Sequence, residues 1–232
     1  MALNFLLDLL FPKFCFGCHK IGTYLCSSCQ GKIVFTTTPL CPLCEKPSPF
    51  GFTHPRCKTP FGIDGMVVLG DYSGILRQMV HFLKYKNVFS LGETLIDLFS
   101  TQPSFWFPKF DFLTPIPLHR SRLLERGYNQ AAILAKILSM KKNWRYQEDI
   151  LIRKLPTTPQ MSISDTNTRR KNIKGAFVLK ETKMVENKII GLVDDVATTG
   201  ATIFEGARVL KRNGAKMVWG IVLARSLPNF SI

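Results

Sequence analysis

Lys188-Ile-Ile-Gly-Leu-Val-Asp-Asp-Val-Ala-Thr-Thr-Gly-Ala-Thr202 is the stretch that decides the fold. An apolar strand delivers two adjacent carboxylates, Asp194 and Asp195, into a loop of small residues that opens a helix near Ile203. Such a transition brings exposed backbone N–H groups and the positive end of a helix dipole together, which suits a phosphate group. Ala197, Gly200 and Ala201 let the backbone approach closely, and Thr198, Thr199 and Thr202 add hydroxyl donors. The loop lacks the lysine of G-x-x-x-x-G-K-[ST], so it is not a nucleoside-triphosphate P-loop. Asp194 and Asp195 stand where they would meet the hydroxyls of a sugar carrying that phosphate. A phosphorylated ribose is the expected ligand.

The flanking segments set this loop in an α/β sheet. After the loop, Ile203, Ala207 and Leu210 share a helix face, Gly214 suits the C′ position, and Met217–Ala224 reads as a final buried strand. Upstream, Phe110–Ile116 reads as the first core strand, closed by Pro115 and Pro117. A turn at Leu118-His-Arg-Ser121 and a basic linker then lead to a helix over about Asn129–Met140. Strands separated by helices predict a parallel, doubly wound sheet, which binds ligands at its carboxyl ends. Residues 58–110 read as a joining region with a short strand at Met66–Leu69 and an amphipathic helix at Ile75–Lys84. Ile150–Phe177 carries Arg153, Thr157, Thr158, Gln160, Arg169, Arg170 and Asn172 with little apolar periodicity. Long polar stretches inside compact domains are usually functional loops.

All seven cysteines lie between Cys15 and Cys57, an odd number that suits metal better than disulfides. Cys15-x2-Cys18, Cys26-x2-Cys29, Cys41-x2-Cys44 and His54-x2-Cys57 form four knuckles, each aiming two ligands at one tetrahedral ion. Four knuckles imply two zinc ions, the first on Cys15, Cys18, Cys26 and Cys29, the second on Cys41, Cys44, His54 and Cys57. An interleaved pairing, first with third and second with fourth, has equally good spacing. Either set is closed, which makes the zinc structural. His19 reads as a bystander to the first knuckle.

The run Val193-Asp-Asp-Val-Ala-Thr-Thr-Gly-Ala-Thr202 resembles the phosphoribosyl pyrophosphate (PRPP) motif of type I phosphoribosyltransferases. Pro115-Ile-Pro-Leu118, Arg126-Gly-Tyr-Asn-Gln130, Gln160, Arg169 with Asn172, Gly175-Ala-Phe177, Leu83-Lys-Tyr85 and the Cys-rich start narrow the resemblance to ComF/ComFC proteins, which are competence-associated and GntX-like. The resemblance implies a double zinc ribbon at residues 1–59, with His54 where many members carry Cys, and a phosphoribosyltransferase-like domain at 60–232. It implies PRPP with Mg2+ on Asp194, Asp195, Val196, Ala197, Thr198, Thr199, Gly200, Ala201 and Thr202. Asp194 and Asp195 would be the catalytic carboxylates. Leu118, His119 and Arg120 correspond to the diphosphate loop, and Ile150–Phe177 to a lid in which Arg169 would touch diphosphate. Lys84 and Tyr85 sit in the hood over the sugar site, or on a solvated helix end. The implied role is in DNA uptake. A salvage transferase acting on a base, or a PRPP-responsive nucleic-acid-binding protein without transfer activity, remain alternatives.

Composition frames the rest. Hydrophobic content of 46% with 20% charged residues describes a globular chain. Of the net +15, an excess of ten positive charges falls between Arg120 and Lys180, favouring a polyanionic partner such as single-stranded DNA. Met1–Phe11 is far shorter than the roughly 20 apolar residues of a membrane span. The expected location is the cytoplasm, with that segment docking on the protein or touching the inner face of the membrane.

Overall fold

The computed structural model describes residues 12–85, 89–100, 102, 105–154 and 173–226. Its elements in chain order are α1 (Ser27–Gln30), β1 (Gly65–Asp71), α2 (Gly74–Tyr85), α3 (Phe89–Ser100), β2 (Phe112–Pro115), α4 (Arg120–Arg126) and α5 (Gln130–Lys142). A hairpin of β3 (Leu151–Arg153) and β4 (Phe177–Leu179) follows, then β5 (Ile189–Ala197), α6 (Ala201–Arg212) and β6 (Met217–Arg225).

Four strands form a parallel sheet in the order β1-β6-β5-β2. The expected doubly wound α/β class is therefore present. The register sets Asp71, Arg225 and Ala197 side by side, so the carboxyl ends of β1, β6 and β5 share one edge. Alternate residues of each strand enter different cores, as the two-residue strand period requires. Val67, Leu113, Val193, Trp219 and Ile221 pack with α2, α3 and α5, while Met66, Phe112, Ile190, Leu192 and Val218 pack with α6 and the hairpin. Burial on both faces explains why β5 and β6 read as continuous apolar runs.

Two expected elements differ from the sequence reading, and α3 and the β3–β4 hairpin lie where it placed no helix or strand pair. Met66–Leu69 is part of a full edge strand of the main sheet, so Phe110–Ile116 contributes its second strand rather than its first. The basic linker after Leu118 is a helix, α4, capped by the His119 ring at its start and by Gly127 in the left-handed region (φ 78°) at its end.

The cysteine-rich segment closes the exposed edge of β1. Thr36 N–H donates to the Leu69 carbonyl (3.0 Å), Asp71 N–H to Val34 (2.9 Å) and Thr53 N–H to Asp64 (2.8 Å). An edge strand left open would invite pairing with other chains.

Candidate functional site

The carboxyl end of β5 holds Asp194 and Asp195, 9% and 4% exposed. Asp194 accepts the Asp195 N–H at 2.9 Å. Burial first, and then the charge of Asp195, push the Asp194 carboxyl up to about 8. Lys84 approaches from the last turn of α2, its Nζ 3.3 Å from Asp195 Oδ2. The contact is an ion pair without hydrogen-bond alignment, and Asp195 Oδ2 is buried without a hydrogen bond. Burial opposes the Lys84 charge, yet Asp195, Tyr72 and Asp194 more than compensate and raise its pKa. Arg153, at the end of β3, lies within electrostatic reach of Asp194 and stacks over the Phe177 ring at 5.6 Å. Burial and nearby Arg122 lower the Arg153 pKa. Two buried carboxylates thus meet cations from two other elements.

The loop that follows turns through Gly200 into the N-terminus of α6. Gly200 is left-handed (φ 71°), and a Cβ there would lie 2.6 Å from the Phe204 ring, so the position favours glycine. Thr199 Oγ1 accepts the Ala201 N–H at 3.4 Å. Ala197 and Ala201 are buried, and Val196, Thr198, Thr199 and Thr202 are half-buried. Glu205, one turn into α6, accepts the Gly175 N–H at 2.7 Å and a 2.7 Å bond from Arg208. That carboxylate ties the Gly175-Ala-Phe177 run to α6.

Other expected residues distribute as follows. Leu118 and His119 are half-buried and Arg120 is exposed at the start of α4; His119 Nδ1 accepts the Ser121 N–H at 3.3 Å. Arg169, with Thr157, Thr158, Gln160, Arg170 and Asn172, lies outside the described residues, as does Met1–Phe11. Sequence reasoning left Lys84 undecided between hood and solvated helix end and gave Arg153 no role. The one available signal was that Lys84 falls inside the Leu83-Lys-Tyr85 motif.

Arg126-Gly-Tyr-Asn-Gln130 has a structural account. Gly127 ends α4, Asn129 caps α5 through the Ala131 N–H (3.0 Å) and donates to the Ile116 carbonyl (2.9 Å), and Gln130 is buried. Tyr128 Oη donates to the Leu83 carbonyl at 2.6 Å, and the Arg126 guanidinium lies 5.6 Å from the Tyr85 ring centroid. The motif therefore clamps the residues on either side of Lys84.

The cysteines form two clusters, Cys15, Cys18, Cys26, Cys29 and Cys41, Cys44, His54, Cys57, with ligand atoms within 4.8 Å of one another in each. Pairing is sequential, not interleaved. Cys26 Sγ lies 3.7 Å from both Cys15 and Cys18 Sγ, close to the roughly 3.8 Å edge of a tetrahedron with 2.3 Å Zn–S bonds. The two leading knuckles are copies. Cys15 N–H bonds Lys20 and Cys41 N–H bonds Lys46, both at 2.9 Å, and the residues after the knuckles, His19 and Glu45, are left-handed (φ 61° and 59°). Burial opposes the Cys15 thiolate, but N–H groups of Cys26, Gly17 and Cys18 outweigh it and hold the pKa down to about 6. Cys41 is lowered in the same way by Cys44, His54 and Leu43 amides against its burial. Burial and the sulfurs of Cys26, Cys15 and Cys18 push Cys29 up to about 12. The Cys44 sulfur and then burial push Cys57 to about 11. A divalent cation relieves that crowding, so the residues fit zinc. His54 Nδ1 faces Cys44 Sγ at 3.3 Å while Nε2 lies 3.0 Å from the Pro47 carbonyl, the outer contact that orients a metal-binding imidazole.

The fold and these clusters define a parallel α/β sheet domain bearing an N-terminal double zinc ribbon. Residues 6–58 match the family model described as double zinc ribbon domain. The chain is 30% identical over 231 residues to DNA utilization protein YhgH of Escherichia coli O6:H1, spanning 93% of this chain and 98% of that one. It is 31% identical to competence protein F of Haemophilus influenzae (89% and 93% covered) and 27% identical to competence protein ComFC of Bacillus subtilis (87% and 84%). The chain belongs to the ComF/ComFC family. Glutamine PRPP amidotransferase from B. subtilis overlaps 62% of this chain and 30% of its own, at TM-score 0.39 and 15% identity. Among the described residues no helix is long and apolar enough to cross a membrane.

Proposed function

We propose that this protein binds PRPP with Mg2+ at the β5–α6 loop and acts in the handling of DNA taken up by the cell. The observation that carries the first part is the buried pair Asp194–Asp195 at the carboxyl edge of a parallel sheet, directly before a left-handed glycine and a helix N-terminus. Two buried carboxylates, with the Asp195 Oδ2 oxygen free of any hydrogen bond, suit the hydroxyls of a ribose. The backbone of Ala197–Thr202 suits its 5′-phosphate. Mg2+ would enter on the diphosphate oxygens and supply neutralisation of the leaving group. The names of the relatives, which concern competence and DNA utilization, support the second part.

If transfer occurs, the bond between the anomeric carbon and the diphosphate oxygen breaks, the electron pair leaves with diphosphate, and positive charge develops on the ring. Asp194 and Asp195 are fixed near that charge, and fixed electrostatics of this kind lower a barrier without a protein nucleophile. The acceptor then bonds to the anomeric carbon. Turnover with PRPP and a panel of bases separates salvage transfer from binding alone. Calorimetry with PRPP and Mg2+ tests the site itself. Replacing both Asp194 and Asp195 with Ala abolishes binding on this reading, and unchanged affinity contradicts it.

The excess of ten positive charges between Arg120 and Lys180 supports single-stranded DNA as a second ligand. Exposed Arg120 and Lys154 and half-buried Arg122 and Arg126 belong to that excess. The residues 1–59 and 60–232 are proposed as the two units, zinc-bearing and sugar-binding, and proteins of the uptake machinery as further partners. A cytoplasmic location, with Met1–Phe11 at the inner face of the membrane, belongs to the same reading.

A further inference from the structure

A ligand with both sugar hydroxyls and a diphosphate makes conflicting demands. The hydroxyls want carboxylates, and the diphosphate is repelled by them. Two buried carboxylates alone would bind the sugar and reject its charged end. The positions of Asp195 and Lys84 resolve the conflict.

Asp71, at the carboxyl end of β1, is separated by only Tyr72 and Ser73 from Gly74, the first residue of α2. Lys84, near the other end of α2, reaches Asp195 at the carboxyl end of β5, two strands away in the order β1-β6-β5. α2 buries Leu76, Met79, Val80 and Leu83 in the core shared with Val67, Trp219 and Ile221, and its C-terminal end reaches the acidic pair through Lys84. Its last turn roofs the site. Lys84 is not a lysine snorkelling at a solvated helix end. Its side chain is only 21% exposed, and both of its neighbours are held by groups from elsewhere in the chain. Tyr128 Oη fixes the Leu83 carbonyl at 2.6 Å, and Arg126 lies over Tyr85 at 5.6 Å. A solvated lysine requires neither anchor. Arg153, from β3, also lies within electrostatic reach of Asp194.

Resting on the reading of the loop as a PRPP site, we propose that Lys84 is a binding residue of that site. It neutralises Asp195 when the site is empty and meets the diphosphate end of the ligand when it is filled. The Arg126–Gln130 run is the device that holds it there. Lys84 thereby selects a diphosphorylated sugar over the same sugar with a 5′-phosphate alone.

The test is calorimetry on the full chain with two ligands, PRPP with Mg2+ and ribose 5-phosphate, comparing wild type, Lys84→Met and Lys84→Arg. Loss of one charge-assisted contact predicts that Lys84→Met weakens PRPP by about tenfold or more and ribose 5-phosphate by less than about twofold. Lys84→Arg restores most of the PRPP affinity, because the charge is kept. Should Lys84→Met fail to fold, Lys84→Gln carries the same comparison. Tyr128→Phe frees the Leu83 carbonyl and is expected to weaken PRPP selectively. Equal losses for both ligands in the Lys84 variants, or no loss for either, overturn the proposal. Wild-type protein that binds neither ligand overturns the sugar-site reading instead, so the two failures are distinguishable.

Discussion

Arg225 Nη2 lies 2.6 Å from Glu45 Oε1, an ion pair between the last residue of β6 and the residue that follows the zinc ligand Cys44. The same guanidinium donates to the carbonyl of Pro42, inside the same knuckle, at 3.4 Å. Arg225 is 4% exposed, and its register partner on β5 is Ala197, the first residue past the acidic loop's Val196. The second zinc knuckle is therefore bolted to the strand end beside the candidate sugar site.

Removing Glu45 leaves a buried guanidinium with the Pro42 carbonyl contact and only the Cys41 sulfur as a nearby counter-charge. Glu45→Ala is expected to destabilise the chain by about 3 kcal/mol, the low end for a broken buried pair because Glu45 keeps some solvent exposure. Urea unfolding followed by circular dichroism measures it. A loss below about 1 kcal/mol would mean that the pair behaves as a surface contact.

Metal analysis of protein purified without added zinc is expected to return about two equivalents per chain, since closed thiolate sites hold zinc tightly. Gly17 offers a way to remove one site alone. A Cβ at Gly17 would lie 2.6 Å from Cys29 Sγ and 2.7 Å from Ile75 Cδ1. Gly17→Ala is therefore expected to bring the stoichiometry to about one while leaving the second cluster filled. Zinc content near zero in folded, reduced wild-type protein would contradict both expectations.

Asp194 makes stability depend on pH. Its carboxyl rises from the ordinary 3.8 to about 8 in the folded chain, through burial first and the charge of Asp195 second. The folded state therefore favours the protonated form. That contribution is full below the unfolded value of 3.8 and is lost as pH rises through about 8. Asp194→Asn keeps an oxygen to accept the Asp195 N–H and removes the titration. The variant should match wild type near pH 4 and exceed it in urea midpoint above pH 8. A constant difference across that range would place the effect elsewhere.

Single-stranded DNA binding, if it uses the Arg120–Lys180 region, should weaken with salt at a log–log slope near −0.7 for each phosphate neutralised. Arg169, Arg170 and Lys171 form the densest run of charge there. Changing all three to Ala should weaken binding and also make the slope shallower. Fluorescence anisotropy with a labelled oligonucleotide across a salt series reads both. No binding at low salt, or a slope untouched by the triple change, would remove DNA from the list of ligands.

The sequence by itself determined the parts whose chemistry is local. β5, its acidic pair and the small-residue loop are contiguous because the strand end leads straight into the helix start, and each knuckle is contiguous because two ligands must face one ion. Patterning also settled the parallel sheet, since strands buried on both faces leave long apolar runs at Ile189–Val193 and Val218–Ala224. Short elements were harder to read. Four of the seven residues of α4 are charged, and its helix rests on the His119 and Gly127 caps rather than on a buried stripe. The tertiary structure alone decided which knuckles share an ion, because spacing allows both pairings and only the clustering of the ligand atoms in space distinguishes them. It alone brought Lys84 to Asp195 and Glu45 to Arg225, contacts between residues far apart in the chain. A charge carries no mark of the partner it will meet. That partner is set by where α2 and the second knuckle come to rest on the carboxyl edge of the sheet.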